Sequence, residues 1–320
     1  MVFNGHTSES INEINEIIHT RIKAAGGNYD GFVGYVKNFK MTLVKYRNYF
    51  FTILKSIIEQ NEIEEVFFWI IDHYCGISRM DYIVNPDLKL SNDQKENLMN
   101  AVSLLKTSMP IQYVLGESEF MSLKFNLNSN VLIPRPETEE LVSWVIKDDN
   151  HNKTILDIGT GSGCIAIALA KEQPSFEVTA IDFYSSVLNL AKQNAIKNKT
   201  SVSFLQHDIL QLNTLKLNVD IIVSNPPYIP PSEQREMKPN VLNYEPHLAL
   251  FVPENDPLIF YRSILEYGLL YLVSDGLIYF EINPRFLSEM KSLILSFKVY
   301  SILERKDIFG KLRMLRVQKK

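Results

Sequence analysis

Leu43, Tyr46, Phe50, Leu54 and Ile57 recur at spacings of three and four residues, so a helix starting near residue 42 would carry them on one face. Ile63, Val66, Phe67, Ile70, Ile71 and Tyr74 repeat the pattern, and Gly76 stands where a helix C-cap falls. Ser91 followed by Gln94 is a capping-box pair. It announces a third helix with Leu98, Val102 and Leu105 on its buried side, closed by Pro110. Residues 41–110 therefore read as a small helical bundle. Ahead of it, Ile11, Ile14, Ile17 and Ile18 form a possible apolar stripe, which Gly26, Gly27, Gly31 and Gly34 interrupt. Residues 1–40 read as an extension of unknown role, and Met41, which opens the cleaner pattern, is a candidate start.

After Pro110 the period changes. Phe120, Leu123, Phe125 and Leu127 alternate with polar residues, which predicts a β-hairpin linker over 111–133. From residue 134 onward, strand-like runs alternate with helical stretches such as Ser185–Lys197. The strands expected are Thr154–Ile158, Glu177–Ile181, Val202–Leu205, Asp220–Val223 and Leu277–Ile282. Such alternation yields a mostly parallel sheet with helices on both faces. Val299–Leu303 and Met314–Val317 are joined by a short segment containing Gly310, and could close that sheet as an antiparallel pair. The expectation is an α/β, Rossmann-like domain with seven strands over 134–320.

Composition narrows the chemistry. The net charge of −4 offers no general attraction to nucleic-acid phosphates, so direct nucleic-acid binding is not expected. Cys75 and Cys164 are the only cysteines and the six histidines are scattered, so neither a disulfide framework nor a metal site is expected. No apolar run approaches the roughly 20 residues of a membrane span. The first residues lack a signal-peptide layout, and Glu9, Glu13 and Glu16 argue against a mitochondrial presequence. A cytoplasmic protein is the default.

The run Thr154–Gly163 is a buried strand entering a glycine-rich turn and then an apolar helix. Glycines let the backbone bend sharply and approach a ligand, with helix N-terminal amides facing it. Asp182, about 20 residues on, ends the next strand where a carboxylate can accept from ribose hydroxyls. Asp208 ends the third, where it can accept from an adenine amino group while Ile209 covers the ring. The candidate cofactor residues are Asp157, Gly159, Thr160, Gly161, Gly163, Asp182, Asp208, Ile209 and Asn225. They describe an adenosine pocket and do not separate NAD from S-adenosylmethionine.

Ser224-Asn225-Pro226-Pro227-Tyr228, at the end of the fourth strand, makes that separation. Asn225 can offer its side-chain oxygen to one N–H of a substrate and Pro226 its carbonyl to the other. The two prolines hold these acceptors rigidly. Tyr228 can stack on a flat group and exclude water. The set suits a planar –NH2 on an sp2 carbon, an amide or a nucleobase amine. Its lone pair is delocalised, and two acceptors can turn electron density toward the methyl sulfonium of S-adenosylmethionine. Nicotinamide chemistry has no use for this arrangement. Asn225, Pro226 and Tyr228 are the candidate catalytic residues, with Pro227 beside them.

With these motifs in place, the chain resembles the release-factor glutamine methyltransferases. The Asn-Pro-Pro-Tyr signature is shared with DNA adenine methyltransferases. More discriminating are Val131-Leu132-Ile133-Pro134-Arg135-Pro136-Glu137-Thr138-Glu139, Gln112–Gly116 with Phe120, and Glu245-Pro246 with Leu248-Ala249-Leu250. The resemblance covers residues 42–320. It implies S-adenosylmethionine as cofactor and a class 1 release factor as substrate, methylated at the glutamine of its Gly-Gly-Gln loop. It also implies that Arg135 and Glu137 shape the site near the methyl donor, and that the helical domain recognises substrate. Two departures stand out: Val252–Pro257 replaces a glycine-rich turn, and Asn283 occupies a usual glycine position. The rival reading is a nucleic-acid adenine or guanine amino methyltransferase, which would need basic surface to hold a strand with a flipped base.

Overall fold

A computed structural model describes residues 41–148, 152–211 and 215–320. The expectations for residues 1–40 lie outside the described residues. The chain forms two compact units that meet in sequence at Ser108 and Met109.

In the first unit, α1 (Leu43–Leu54), α2 (Ile63–Cys75), α3 (Arg79–Val84) and α4 (Asn92–Leu105) follow one another. Leu43, Tyr46, Phe50 and Leu54 are fully buried, as the spacing predicts, while Ile57 lies past the end of α1 and is exposed. The first amides of α1 have no partner within the helix. Those of Leu43 and Val44 donate to the carbonyls of Leu88 and Pro86. Gly76 closes α2 in the left-handed conformation. Both hydrogen bonds of the Ser91–Gln94 capping box form. So do those of a second box, Ser78 with Asp81, which starts α3. The spacing did not predict α3, because this helix has no buried residue to mark a period.

The second unit opens with α5 (Ile111–Leu115), then the hairpin β1 (Glu117–Phe120) and β2 (Leu123–Asn126), then α6 (Pro136–Lys147). The first five residues of the expected hairpin segment are thus helical. The chain continues through β3 (Thr154–Ile158), α7 (Cys164–Glu172), β4 (Glu177–Asp182), α8 (Ser185–Asn198), β5 (Ser203–Gln206) and β6 (Val219–Ser224). Short turns of helix, α9 (Pro239–Tyr244) and α10 (His247–Leu250), precede α11 (Ile259–Tyr271), β7 (Leu272–Glu281), α12 (Leu287–Ser296), β8 (Tyr300–Lys306) and β9 (Leu312–Lys319).

The seven strands lie in the order β5-β4-β3-β6-β7-β9-β8, and β9 alone runs antiparallel to the others, pairing with β7 on one side and β8 on the other. Alternation along each strand feeds a core on either face. Ile155, Ile221 and Tyr279 pack with α6 and α7 on one side. Leu156, Ile222, Ile278 and Phe280 pack with α11 and α12 on the other. The central β3 pairs with β4 on one side and with β6 on the other, so the chain order reverses there. In open α/β sheets, ligands bind outside the carboxyl ends of the strands at such a reversal.

Candidate functional site

At the carboxyl end of β3, Gly159, Gly161 and Gly163 all have positive φ, a conformation costly for other residues. The amides of Gly159 and Thr160 donate to the carbonyl of Ile181, fastening the turn to β4. Asp182 holds it as well: Oδ2 accepts from the Gly161 amide at 3.0 Å and Oδ1 from the Tyr184 amide at 3.2 Å. Burial raises its carboxyl above the usual range, while these amides pull it down.

Beneath the turn, the Thr160 hydroxyl donates to Asp157 at 2.6 Å. Asp157 is fully buried, and desolvation pushes its carboxyl up to about 7 against the hydrogen bond from Thr160.

These elements border a cavity of about 460 Å³, within the range of small-molecule sites. Gly159, Thr160, Gly161 and Asp182 line it, as do Asp208 and Ile209 after β5. Asn225, Pro226 and Pro227 after β6, and Arg135 before α6, line the same cavity. The pairing of Ile158 with Ser224 brings the two strand ends side by side.

Asp157, Gly163, Tyr228 and Glu137 are not in the lining. Asp157 acts from below, through Thr160. A Cβ on Gly163 would stand 2.9 Å from Ile167 and 3.2 Å from Ala191, so this glycine permits close packing of α7 and α8. Tyr228 turns inward, its hydroxyl donating to Glu281 at 3.2 Å, rather than presenting its ring to the cavity. Glu137 is half-buried in the first turn of α6.

Three groups beyond the candidate residues complete the site. Thr138, the third residue of α6 after its N-cap Arg135, lines the cavity and accepts a hydrogen bond from Asn225 Nδ2 at 3.2 Å. Its own hydroxyl donates to Glu281 at 2.6 Å. Glu281, the last residue of β7, is buried, and desolvation raises its carboxyl. Thr138 lies inside the segment that marked the resemblance, but its role depends on β7, 143 positions away. Phe183, directly after Asp182, also lines the cavity and is about half exposed.

The near wall is a tied loop. Arg135 pairs with the buried carboxylate of Glu245 at 2.5 Å, and the Ile133 amide donates to the same group. Pro246, Leu248 and Ala249 then reach the cavity. Ile229 exchanges backbone hydrogen bonds with Leu250 and Val252, joining this loop to the Asn225–Tyr228 segment. Both departures have structural partners. Asp256 clasps Arg262 through two hydrogen bonds of 2.7 and 2.9 Å. Asn283 accepts from the Arg285 amide and donates to Glu233.

The residues suit S-adenosylmethionine on their own chemistry. Nothing lies within 4 Å of where side chains on Gly159 and Gly161 would project, so bare backbone faces open space. Acceptors stand at the end of β4 and just after β5, at Asp182 and Asp208, and apolar side chains such as Phe183 and Ile209 line the same cavity.

Comparisons with known proteins agree. Residues 137–242 match the methyltransferase small domain, and residues 48–116 match the PrmC N-terminal domain. The chain is 45% identical over 282 residues to a release factor glutamine methyltransferase of Flavobacterium psychrophilum, covering 87% of this chain and 99% of that protein. A protein of the same name from Bacteroides thetaiotaomicron is 40% identical, over 82% of this chain and 95% of its own length.

Proposed function

This chain belongs to the release factor glutamine methyltransferase family, and from that premise we propose that it methylates the side-chain amide nitrogen of the glutamine in the Gly-Gly-Gln loop of a class 1 release factor. The carrying observation is that the glycine turn and the Asn225–Pro226 acceptors line one cavity. S-adenosylmethionine would be held by Gly159 and Gly161 at the turn, by Asp182 at its ribose, and by Asp208 and Ile209 at its adenine. When bound, it supplies a methyl carbon made electrophilic by the attached sulfonium.

The protein's own part is positioning. Asn225 Oδ1 and the Pro226 carbonyl accept the two N–H groups of the glutamine amide and hold its nitrogen toward the methyl carbon. Neither Pro226 nor Pro227 carries a backbone N–H, so no donor of theirs competes for those acceptors. The apolar walls keep water from the reacting nitrogen and strengthen each polar contact. Arg135 and Glu245 lock the wall through which the substrate loop enters. The helical unit, matched by the PrmC N-terminal domain, grips the body of the release factor. A substrate from the translation machinery places this work in the cytoplasm.

Labelled S-adenosylmethionine offered with release factor, with its loop Gln→Ala variant, and with DNA tests the reading. Label should enter the release factor alone and vanish with the variant. Label on DNA instead would establish the nucleic-acid reading. Asn225→Ala should abolish transfer while calorimetry still detects cofactor binding. Loss of cofactor binding would assign Asn225 to the cofactor instead.

A further inference from the structure

We propose that Thr138 and Glu281 form a buried relay that sets which atom of the Asn225 carboxamide faces the substrate. This rests on the reading that Asn225 accepts from the substrate amide. A threonine hydroxyl has one hydrogen. Thr138 gives it to Glu281 Oε2 at 2.6 Å, so toward Asn225 it can only accept, and it takes Nδ2 at 3.2 Å. The carboxamide nitrogen is thereby committed, and Oδ1 is left for the substrate N–H. Glu281 holds this polarity because an ionised carboxylate only accepts: Tyr228 donates to its other oxygen at 3.2 Å.

Protonating Glu281 reverses the logic. A carboxylic acid can donate to Thr138, and Thr138 can then donate to Asn225. The stable orientation of the carboxamide would present its –NH2 to an incoming –NH2, donor against donor. Turnover therefore requires ionised Glu281, is present above its pKa, and is lost as pH falls through it.

Burial raises that pKa, with Glu137 on α6 acting in the same direction. Arg313 on β9 and the hydrogen bonds from Thr138 and Tyr228 oppose it. Tyr261 on α11 donates to the backbone carbonyl of the same residue at 2.8 Å. Thr138 and Glu281 are thus positioning residues, acting through Asn225.

The test uses the full chain, labelled S-adenosylmethionine and intact release factor. Thr138→Val keeps the shape and removes the hydroxyl. It should lower kcat by about 10- to 100-fold, the scale of misplacing a reacting group, with cofactor affinity by calorimetry unchanged. Thr138→Ser should recover most of the loss. The acid limb of the wild-type kcat profile should disappear in Thr138→Val, because the carboxamide no longer senses Glu281. Normal turnover by Thr138→Val, or equal failure of Thr138→Ser, overturns the proposal. So does a wild-type kcat that stays flat down to the pH of unfolding, a measurement needing no variant. If Asn225→Ala is inactive and Thr138→Val is not, the relay alone falls. If Asn225→Ala turns over normally, the substrate reading beneath it falls.

Discussion

Asp157 has no exposed surface, and its carboxyl is pushed from 3.8 to about 7 by loss of water, the Thr160 hydrogen bond only partly offsetting this. The folded protein therefore favours the protonated form more than the unfolded chain does. Its contribution to stability is fully present below about pH 4 and is lost as pH rises through about 7. Asp157→Asn keeps an acceptor for Thr160 and cannot ionise. Relative to that variant, the wild type should lose stability between about pH 4 and 7 and level off above that, with about 4 kcal/mol as the upper bound at 1.36 kcal/mol per unit. Thermal melts of both proteins across this range check it; parallel curves would mean that Asp157 stays ionised throughout. The same physics treats Glu281 differently in consequence. There the burial cost is tied to the aim of Asn225, so its effect is expected in turnover.

Among elements, the β1–β2 hairpin shows how a local pattern acquires its place. Alternation around Phe120 and Phe125 made the strands legible, and both rings are buried in the core against the sheet. The turn carried no glycine signal. Met121 and Ser122 both have positive φ, and the Met121 amide is held by Glu139 of α6 at 2.8 Å. The strongest tie comes from α8. Asn194 Oδ1 accepts from the Asn126 amide at 2.7 Å, and its Nδ2 donates to the carbonyls of Asn126 and Ser162. One side chain thus links hairpin, helix and glycine turn. Asn194→Ala would leave three backbone groups without this partner, a cost of about 2 to 4 kcal/mol. Urea titration should show that loss, and hydrogen exchange should rise first at residues 117–126. An unchanged midpoint would mean that water replaces the amide at no cost.

At the scale of the whole molecule, the residues lining the cavity all belong to the unit from Met109 to Lys320. That unit has its own sheet and a core on each face of it. Produced alone, it should bind S-adenosylmethionine as the full chain does, while kcat/KM on intact release factor falls because the helical unit is gone. Calorimetry and methyl-transfer assays on the two proteins check both halves. Equal kcat/KM would remove the helical unit from substrate recognition. No helix among the described residues is long and apolar enough to cross a membrane.

The sequence by itself determined the elements whose period is enforced by one-sided burial: α1, α2, α4 and the strands of the sheet. It also determined the glycine turn, whose positive φ values demand that residue. Boundaries without such a signal were not legible. β7 begins at Leu272 rather than Leu277, running directly on from α11 through Asp275 at positive φ. Tertiary structure alone decided that Gly163 serves helix packing, that Tyr228 faces Glu281, and that Thr138 stands between Glu281 and Asn225. Hydrogen bonds between residues 53, 87 and 143 positions apart leave no period in the chain. They exist because β6, β7 and α6 bring their ends together, and only the packed sheet does that.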